Sequence, residues 1–250
     1  MVEFIYNGRS TKEFNLRIIN EVSHELSSHD IETEVVPGRD GVLLLDNQRL
    51  KPVERAFPLR LIDDVYQSST EIAEWLGVKG WHDLELSWDD DFIYQATVIN
   101  TISISEVLKQ LGKLQVVFLV HPIKYLKDSY GVEWDKGSDP TLTRMNGTSI
   151  NNGQTVINRG NVKAHPLIEL TGSGNTVITI NGRRTVLEDV QGSITLDMKS
   201  RMVYKGNLSA WEKVVREENA VFPYLDVGNN QISWTGDFTM KMVKNEGVRI

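Results

Sequence analysis

The chain of 250 residues has no cysteine, which excludes disulfide bonds and zinc sites made of thiolates. It also lacks a long hydrophobic run, because the longest apolar stretch covers residues 116–120, whereas a membrane-spanning helix needs about 20 residues. No basic segment followed by an apolar run is visible near the N-terminus, so we expect no secretory signal. We therefore expect a soluble protein made inside the cell, with no membrane among its partners.

The residue types typical of catalysis are not found in their usual spacings. The five histidines show no His-x-x-x-His pattern for a metal, and no Gly-x-Ser-x-Gly elbow indicates a serine hydrolase. The glycine-rich segment 171–174 precedes a predicted strand rather than a helix, which argues against a phosphate-binding loop. The aspartates at 89–91 lack the spacing of a calcium loop and are interpreted as a hairpin tip. We therefore expect that the protein is not an enzyme and that it has no catalytic, metal-binding or cofactor-binding residues.

Charge is distributed unevenly along the chain. Residues 1–135 carry 13 Lys or Arg against 23 Asp or Glu, a net charge of −10, whereas residues 136–250 carry 14 against 11, a net of +3. Binding to a phosphate backbone requires clustered Lys and Arg. The acidic first half therefore argues against sequence-specific binding of nucleic acid.

Short β-type runs separated by turn residues predict a mainly β fold with few short helices. In residues 35–45, two apolar runs flank Pro37-Gly38-Arg39-Asp40-Gly41, which predicts a hairpin with a long loop that projects as an arm. Apolar residues at nearly every position of 114–120 predict a strand buried on both sides or nearly so.

Two helices are predicted from Ser-x-x-Glu capping boxes. Ser68 and Glu71 form the first box, and the helix that follows ends at Gly77. Ser209 and Glu212 form the second box and predict a short helix around residues 211–218.

The second half of the chain has turn signals at the regular spacing of a β-sandwich. Turns are predicted at 172–174, 181–182, 191–192 and 198–200. The polar segment 126–155 has little apolar periodicity and is the best linker candidate. The predicted domains are therefore residues 1–136 and 137–250.

The most distinctive motifs lie between residues 158 and 236. They are NRGNVKAHPLIELTGSG (158–174), the Asn181-Gly182 turn, GSITLDMKSRMVY (192–204) and FPYLDVGNNQISWTG (222–236). In this order they resemble the C-terminal half of the distal tail protein of siphophages, the long-tailed, non-contractile bacteriophages. The N-terminal half resembles the same family more loosely, through Asn7-Gly8, residues 36–45 and a short helix followed by alternating strands.

The resemblance implies an N-terminal belt domain and a C-terminal galectin-like β-sandwich. It implies a homohexameric baseplate hub ring that joins the tail tube to the tail-tip apparatus for host adhesion and leaves a channel for DNA. The implied partners are further copies of the chain, the tail tube protein, the tail-associated fibre or lysin protein and, in some members, receptor-binding proteins. The implied location is the tail tip of the virion, after synthesis in the host bacterial cytoplasm.

The arm is the expected ring interface, because an exposed strand edge is a liability unless another subunit covers it. The interface candidates are Val36, Arg39, Asp40, Val42 and Leu44. Part of the acidic excess is expected to face the channel, since an acidic wall does not hold the DNA backbone. The channel-facing candidates are Glu32, Glu34, Asp40 and Asp46, and the alternative is that Arg39 or Arg49 pairs with some of them across a subunit contact.

Two other functions stay open. The first is a carbohydrate-binding module of a phage or bacterial adhesion device, in which Trp211 or Trp234 stacks on a sugar. Trp234 lies in an alternating strand, however, which favours packing in the core. The second is a hydrolase that acts on cell-wall glycans or peptides.

Overall fold

The computed structural model of the chain describes residues 2–19, 24–108, 111–131, 133–134, 143–144, 147–215 and 222–250. Within these ranges there is one α-helix, α1 (Val65–Leu76), and three 3-10 turns, at Thr11–Phe14, Lys127–Ser129 and Trp211–Lys213. The remaining regular structure is β, which confirms the predicted mainly β fold class.

The chain divides into two compact units. The first contains Met1–Lys124 with Arg249–Ile250, and the second contains Tyr125–Val248. The boundary predicted between residues 136 and 137 lies outside the described residues and stays a prediction.

The first unit is built on one antiparallel sheet. The strand order is β2-β1-β7-β8-β10-β6-β3, with β9 also paired to β10, while β4 and β5 form a separate two-stranded sheet. The strands are β1 (Phe4–Tyr6), β2 (Arg9–Ser10), β3 (Leu16–Ile18), β4 (His29–Glu34), β5 (Leu43–Leu50), β6 (Val53–Leu61), β7 (His82–Leu86), β8 (Phe92–Val98), β9 (Ser105–Leu108) and β10 (Leu111–Val120). Strand β11 (Ile123–Leu126) leads the chain into the second unit.

An aromatic cluster forms the centre of the first core. Trp75 of α1 stacks on Phe14 with ring centroids 4.4 Å apart, and its Nε1 donates a hydrogen bond of 2.8 Å to the Tyr6 carbonyl oxygen. Phe118 of β10 packs edge-on against Phe4 at 5.5 Å. Such aromatic pairs stabilise by about 0.5–1.5 kcal/mol beyond the area that they bury.

The prediction that residues 114–120 are buried on both sides, or nearly so, is confirmed for one side of β10 only. Leu114, Val116 and Phe118 are buried, but the alternate residues Val117 and Leu119 are only half-buried. The strand alternates because one face covers the core and the other points outward, as in most antiparallel sheets.

Helix α1 begins earlier than the predicted capping box. Asp64 is the N-cap, and its carboxylate accepts hydrogen bonds from the main-chain N–H groups of Tyr66 and Gln67. The proposed cap at Ser68 is wrong, because Ser68 lies within the helix. The helix ends at Gly77 as predicted, where a Cβ atom would lie only 2.6 Å from the Ala73 carbonyl oxygen.

The second unit is also antiparallel. Its sheet has the order β14-β22-β16-β17-β18-β19, and β15 pairs with β21, β21 with β16, and β20 with β17. The strands are β12 (Glu133–Trp134), β13 (Thr143–Arg144), β14 (Thr148–Ile150), β15 (Thr155–Asn158), β16 (Leu167–Ile180), β17 (Arg183–Asp197), β18 (Met202–Lys205), β19 (Leu208–Ser209), β20 (Val214–Val215), β21 (Gly228–Trp234) and β22 (Phe238–Val243). Strand β23 (Gly247–Arg249) returns the chain to the first unit.

Two turns predicted in this unit are bends inside long strands. Residues 172–174 lie within β16 and residues 191–192 within β17, and the two strands stay paired through Gly172 and Gly192. Strand β16 pairs with β22 before the bend and with β21 after it. Gly174 and Gly192 have φ values of 109° and 79°, which L side chains rarely adopt, so these glycines bend the strands without ending them.

The short helix predicted over residues 211–218 is also corrected. A 3-10 turn covers Trp211–Lys213 and is followed by the strand Val214–Val215, while residues 216–218 lie outside the described residues. Ser209 does not cap this turn, because the N-cap is Ala210 and has no side-chain hydrogen bond. Val214 and Val215 pair with β17 instead, so pairing within the sheet outweighs the local preference for a helix.

A buried carboxylate organises the end of the second unit. Glu246 is fully buried and accepts hydrogen bonds from the Arg159 main-chain N–H (2.8 Å) and Nε (3.0 Å), and Lys244 Nζ lies 2.9 Å away. The same guanidinium binds both carboxylate oxygens of Asp128 at 2.7 and 3.0 Å. Burial alone would raise the pKa of Glu246, but the hydrogen bonds from Arg159 and Lys244 outweigh it, so the pKa is lowered.

This network predicts a loss of stability in acid. A carboxyl group with a lowered pKa stabilises the fold at neutral pH, and that stabilisation is lost as the pH falls below about 4.5, the ordinary value for glutamate, and through the folded pKa. We expect Glu246→Gln to lower the free energy of unfolding by about 1–3 kcal/mol at pH 7 and to flatten its decline in acid. Denaturant unfolding between pH 7 and pH 3 measures both, with the exposed Glu188→Gln as control. Equal acid slopes in all three proteins would contradict the prediction.

Candidate functional site

The most unusual surface of the described residues is an arm, defined here as β4, β5 and the loop between them (residues 29–50). The two strands pair with each other, Thr33 opposite Leu44 and Glu34 opposite Leu43, and belong to no larger sheet. Their apolar side chains are exposed, with 74% of Val35 and 63% of Leu44 open to solvent. A two-stranded hairpin alone is marginally stable, so this apolar surface needs an explanation.

A partly buried ion cluster holds the base of the arm. Asp30 is buried, and its carboxylate lies 2.7 Å from Arg49 Nε and 3.4 Å from Lys51 Nζ. The hydrogen bond from Arg49 is the main cause that lowers the pKa of Asp30. Asn47 Nδ2 donates to both Asp30 and Glu32. These contacts cross the hairpin and fix the position of β5 against β4.

The C-terminal segment anchors the chain just before the arm. Ser27 donates hydrogen bonds to the Ile250 main-chain oxygen, from its N–H at 2.9 Å and its hydroxyl at 2.6 Å. The Arg249 guanidinium donates to the Ser27 carbonyl oxygen at 2.9 Å. Ile250 itself packs in the first core. The arm therefore projects from a fixed base.

The predicted interface residues fall on two parts of the arm. Val36, Arg39, Asp40 and Val42 lie in the loop between the strands, and Leu44 lies on β5. All of them are exposed. The structure thus brings the five residues together at the outer part of the arm, and their role at a ring interface stays a prediction.

The channel-facing candidates do not share one face. Residues opposite each other in the hairpin point the same way, so Glu32 and Glu34 share a face with Leu45 and Leu43. Asp46 is opposite Ile31 on the other face, with Leu44 two residues away. With Asp40 in the loop, the arm presents the four carboxylates in different directions, and their place at a channel stays a prediction.

Both edges of the arm are open within the described residues. Because β4 and β5 pair only with each other in the part of the chain that the structure describes, each presents an outer row of main-chain groups. Such edges are templates for pairing with another chain. The arm can therefore bind another protein through its edges as well as its apolar faces.

The described residues contain no group of three or more His, Cys, Asp or Glu side chains placed to hold a metal ion. Across the same residues, no helix is long and apolar enough to cross a membrane.

The two tryptophans considered for sugar stacking differ in burial. Trp234 is only 7% exposed, and its Nε1 donates a hydrogen bond of 2.9 Å to the Phe238 carbonyl oxygen. Trp211 is partly buried, packs against the second core and meets Phe222 edge-on at 5.2 Å. A ring that is buried and hydrogen-bonded, like that of Trp234, offers no face to a sugar.

Sequence reasoning missed the residues that hold the arm in place. Asp30, Ser27 and Arg249 show no motif, because Arg249 meets Ser27 across 222 positions of the chain. In the structure the usual pattern is inverted, because the apolar Ile31 is exposed and the charged Asp30 is buried. That inversion becomes visible only once the register of the hairpin is known.

Comparison with known proteins finds similarity in structure alone. No protein-family model matches the chain, and no curated protein matches it significantly. The crystal structure of the Dit protein of SPP1 is similar with a TM-score of 0.71 and 12% sequence identity, over 98% of each chain. That protein is described as a paradigm of the hub adsorption apparatus in phages that infect Gram-positive bacteria. The chain has the fold of this phage hub protein.

Burial of Trp234 generates a stability prediction. Trp234→Ala should lower the free energy of unfolding by about 3–5 kcal/mol, because it removes a large core side chain and leaves a cavity. Trp211→Ala should cost less, since that ring is only partly buried. Denaturant unfolding of both variants measures the difference. A glycan bound at micromolar affinity by the wild type, and lost in Trp234→Ala without loss of stability, would contradict the core role.

Proposed function

We propose that the chain is a distal tail protein of a long-tailed, non-contractile phage. Six copies form the baseplate hub ring, which joins the tail tube to the tail-tip apparatus for host adhesion and leaves a channel for DNA. The observation that carries the proposal is the shared fold over 98% of the chain with a phage hub protein. The motifs at 158–174 and 222–236, which resemble the distal tail protein family, also support it.

The arm supports assembly through the first unit. Exposed apolar side chains stand on both of its faces, Leu44 on one and Leu43 and Leu45 on the other. A surface apolar on both sides fits insertion between neighbouring copies better than attachment by one face. A head-to-tail contact of this kind grows without limit unless it closes, and a closed ring is the usual solution.

The partners and location follow from this role. The ring contacts the tail tube protein on one side and the tail-associated fibre or lysin protein on the other, and receptor-binding proteins can attach outside. The protein is made in the host bacterial cytoplasm and resides at the virion tail tip. The first unit is the belt domain and the second the galectin-like sandwich, which is supported by its bent, continuous strands β16 and β17.

The proposed role is structural and needs no catalysis. A carbohydrate-binding module is the alternative, and the burial of Trp234 weakens it. A hydrolase would release products from cell-wall glycans or peptides, so incubation of the purified chain with these substrates separates it from a hub protein.

Assembly can be tested with a charge placed on the arm. The wild type should form a hexamer or a multiple of six, and Leu44→Asp should shift it to monomer at micromolar concentration, because a carboxylate would be buried without a partner. Light scattering gives the mass, electron microscopy shows the ring, and circular dichroism shows that the variant is folded.

Met202→Asp is the matched control for Leu44→Asp. Met202 is also apolar and half exposed, but it lies on β18 in the second unit. The Met202→Asp variant should therefore still form the hexamer. A wild type that stays monomeric at high micromolar concentration, with no ring under the microscope, counts decisively against the proposed function.

A further inference from the structure

Three cations stand in one row on the outward face of the first unit's sheet. In the register of the sheet, Arg17 of β3 lies opposite Arg60 of β6, and Arg60 lies opposite Lys113 of β10. All three are exposed, whereas their chain neighbours Leu16, Leu61 and Leu114 are buried in the core. Neighbouring strands are about 4.8 Å apart, so the three side chains begin within about 10 Å of one another. We name Arg17, Arg60 and Lys113 the basic row.

The fold itself does not account for the basic row. Like charges directly opposite each other across strands are destabilising, and here two such pairs share the central Arg60. In the described part of the chain, no carboxylate lies within ion-pair distance of any of the three. The row also stands in the half of the chain with a net charge of −10, where chance clustering of cations is least expected. Such a row fits an acidic partner.

The surface beside the basic row indicates the kind of partner. The next outward positions along β6 and β10 are Pro58 opposite Gln115, followed by Ala56 opposite Val117. Ile99 is hydrogen-bonded through its N–H to the Val117 carbonyl oxygen and is 46% exposed. A basic row that continues into an apolar patch fits an amphipathic protein surface better than a phosphate backbone, which has no apolar part to bury.

One face of the arm has this complementary character. Glu32 and Glu34 project from it about 7 Å apart along β4, beside Leu45 and Leu43 of β5. The two leucines are exposed, and neither glutamate forms an ion pair within the described residues. The arm face thus combines two carboxylates with exposed leucines. The sheet face combines three cations with half-buried apolar side chains and the exposed Ile99, and its carboxylate Glu54 lies at the far end of β6, opposite Leu119.

We propose that the Glu32 and Glu34 face of one copy's arm docks on the basic row and the adjoining apolar patch of the next copy. The inference rests on the proposed ring and names the surface that receives the arm. The carboxylates relieve the repulsion within the row, while Leu43 and Leu45 cover the patch around Val117. Complementary charge of this kind sets the register and direction of a contact, so every arm binds the next copy in the same way.

The test reverses charge on each side of the contact in the full chain. Arg60→Glu and Glu34→Lys should each weaken assembly by about tenfold or more in dissociation constant, and the double variant should recover most of the loss. Arg60→Glu places a carboxylate between two cations, so its melting temperature as a monomer should stay the same or rise. If Arg60 had only a structural role, Arg60→Glu would instead lower the melting temperature of the monomer. The matched control is Arg184→Glu, an exposed strand cation in the second unit, which should leave assembly unchanged.

Mass by light scattering and sedimentation across a concentration series gives the dissociation constants. If Arg60→Glu is not folded by circular dichroism, Lys113→Glu takes its place with the same expected result. Rings that form equally well in wild type, Arg60→Glu and Lys113→Glu would overturn the docking surface and leave the proposed function intact. A wild type that never assembles would overturn both.

Nucleic acid is the rival occupant of the basic row. A fluorescent 20-base-pair duplex, titrated with wild type and with Arg60→Glu, separates the two. No binding of the duplex, or binding that Arg60→Glu leaves unchanged, agrees with the arm as the occupant. Duplex binding that Arg60→Glu removes, with assembly unaltered, would overturn the proposal.

Discussion

Side-chain alternation along β10 is the constraint on which the first unit depends. Strands β6, β8 and β9 all pair with β10, so its side chains have only two directions, into the core or away from it. Inward, Phe118 joins the aromatic cluster around Trp75 and Phe4. Outward, Lys113 meets Arg60. One register therefore builds both the core and the surface that we assign to a neighbouring copy, and a shift by one residue would destroy both.

The arm differs from β10 because most of its side chains are exposed and only a few are packed. It is held by the ion cluster of Asp30 with Arg49 and Lys51, and by the hydrogen bonds between Ser27 and residues 249–250. Such contacts position a hairpin but bury little apolar area, which is the usual source of stability. The exposed leucines and valines therefore form a surface suited to contact with another protein, as the proposed hub role requires.

The net charge of the first half of the chain does not show which charged side chains share a surface. The first half of the chain is strongly acidic, yet its sheet places Arg17, Arg60 and Lys113 side by side while its arm carries Glu32 and Glu34. A net value describes solubility, whereas a contact depends on which charges share a face. In the second unit, by contrast, Arg159 joins the exposed Asp128 and the buried Glu246 in one network of paired charges.

The sequence by itself determined the mainly β class, the arm and the end of α1 at Gly77, because turn residues, alternation and glycine act over a few positions. Its motifs also led to the phage tail resemblance. Only the tertiary structure decided that residues 172–174 and 191–192 bend strands rather than end them, since a glycine permits either outcome until long-range pairing selects one. The same holds for the basic row: Arg17, Arg60 and Lys113 are far apart in the chain and become one surface only through the register of three strands.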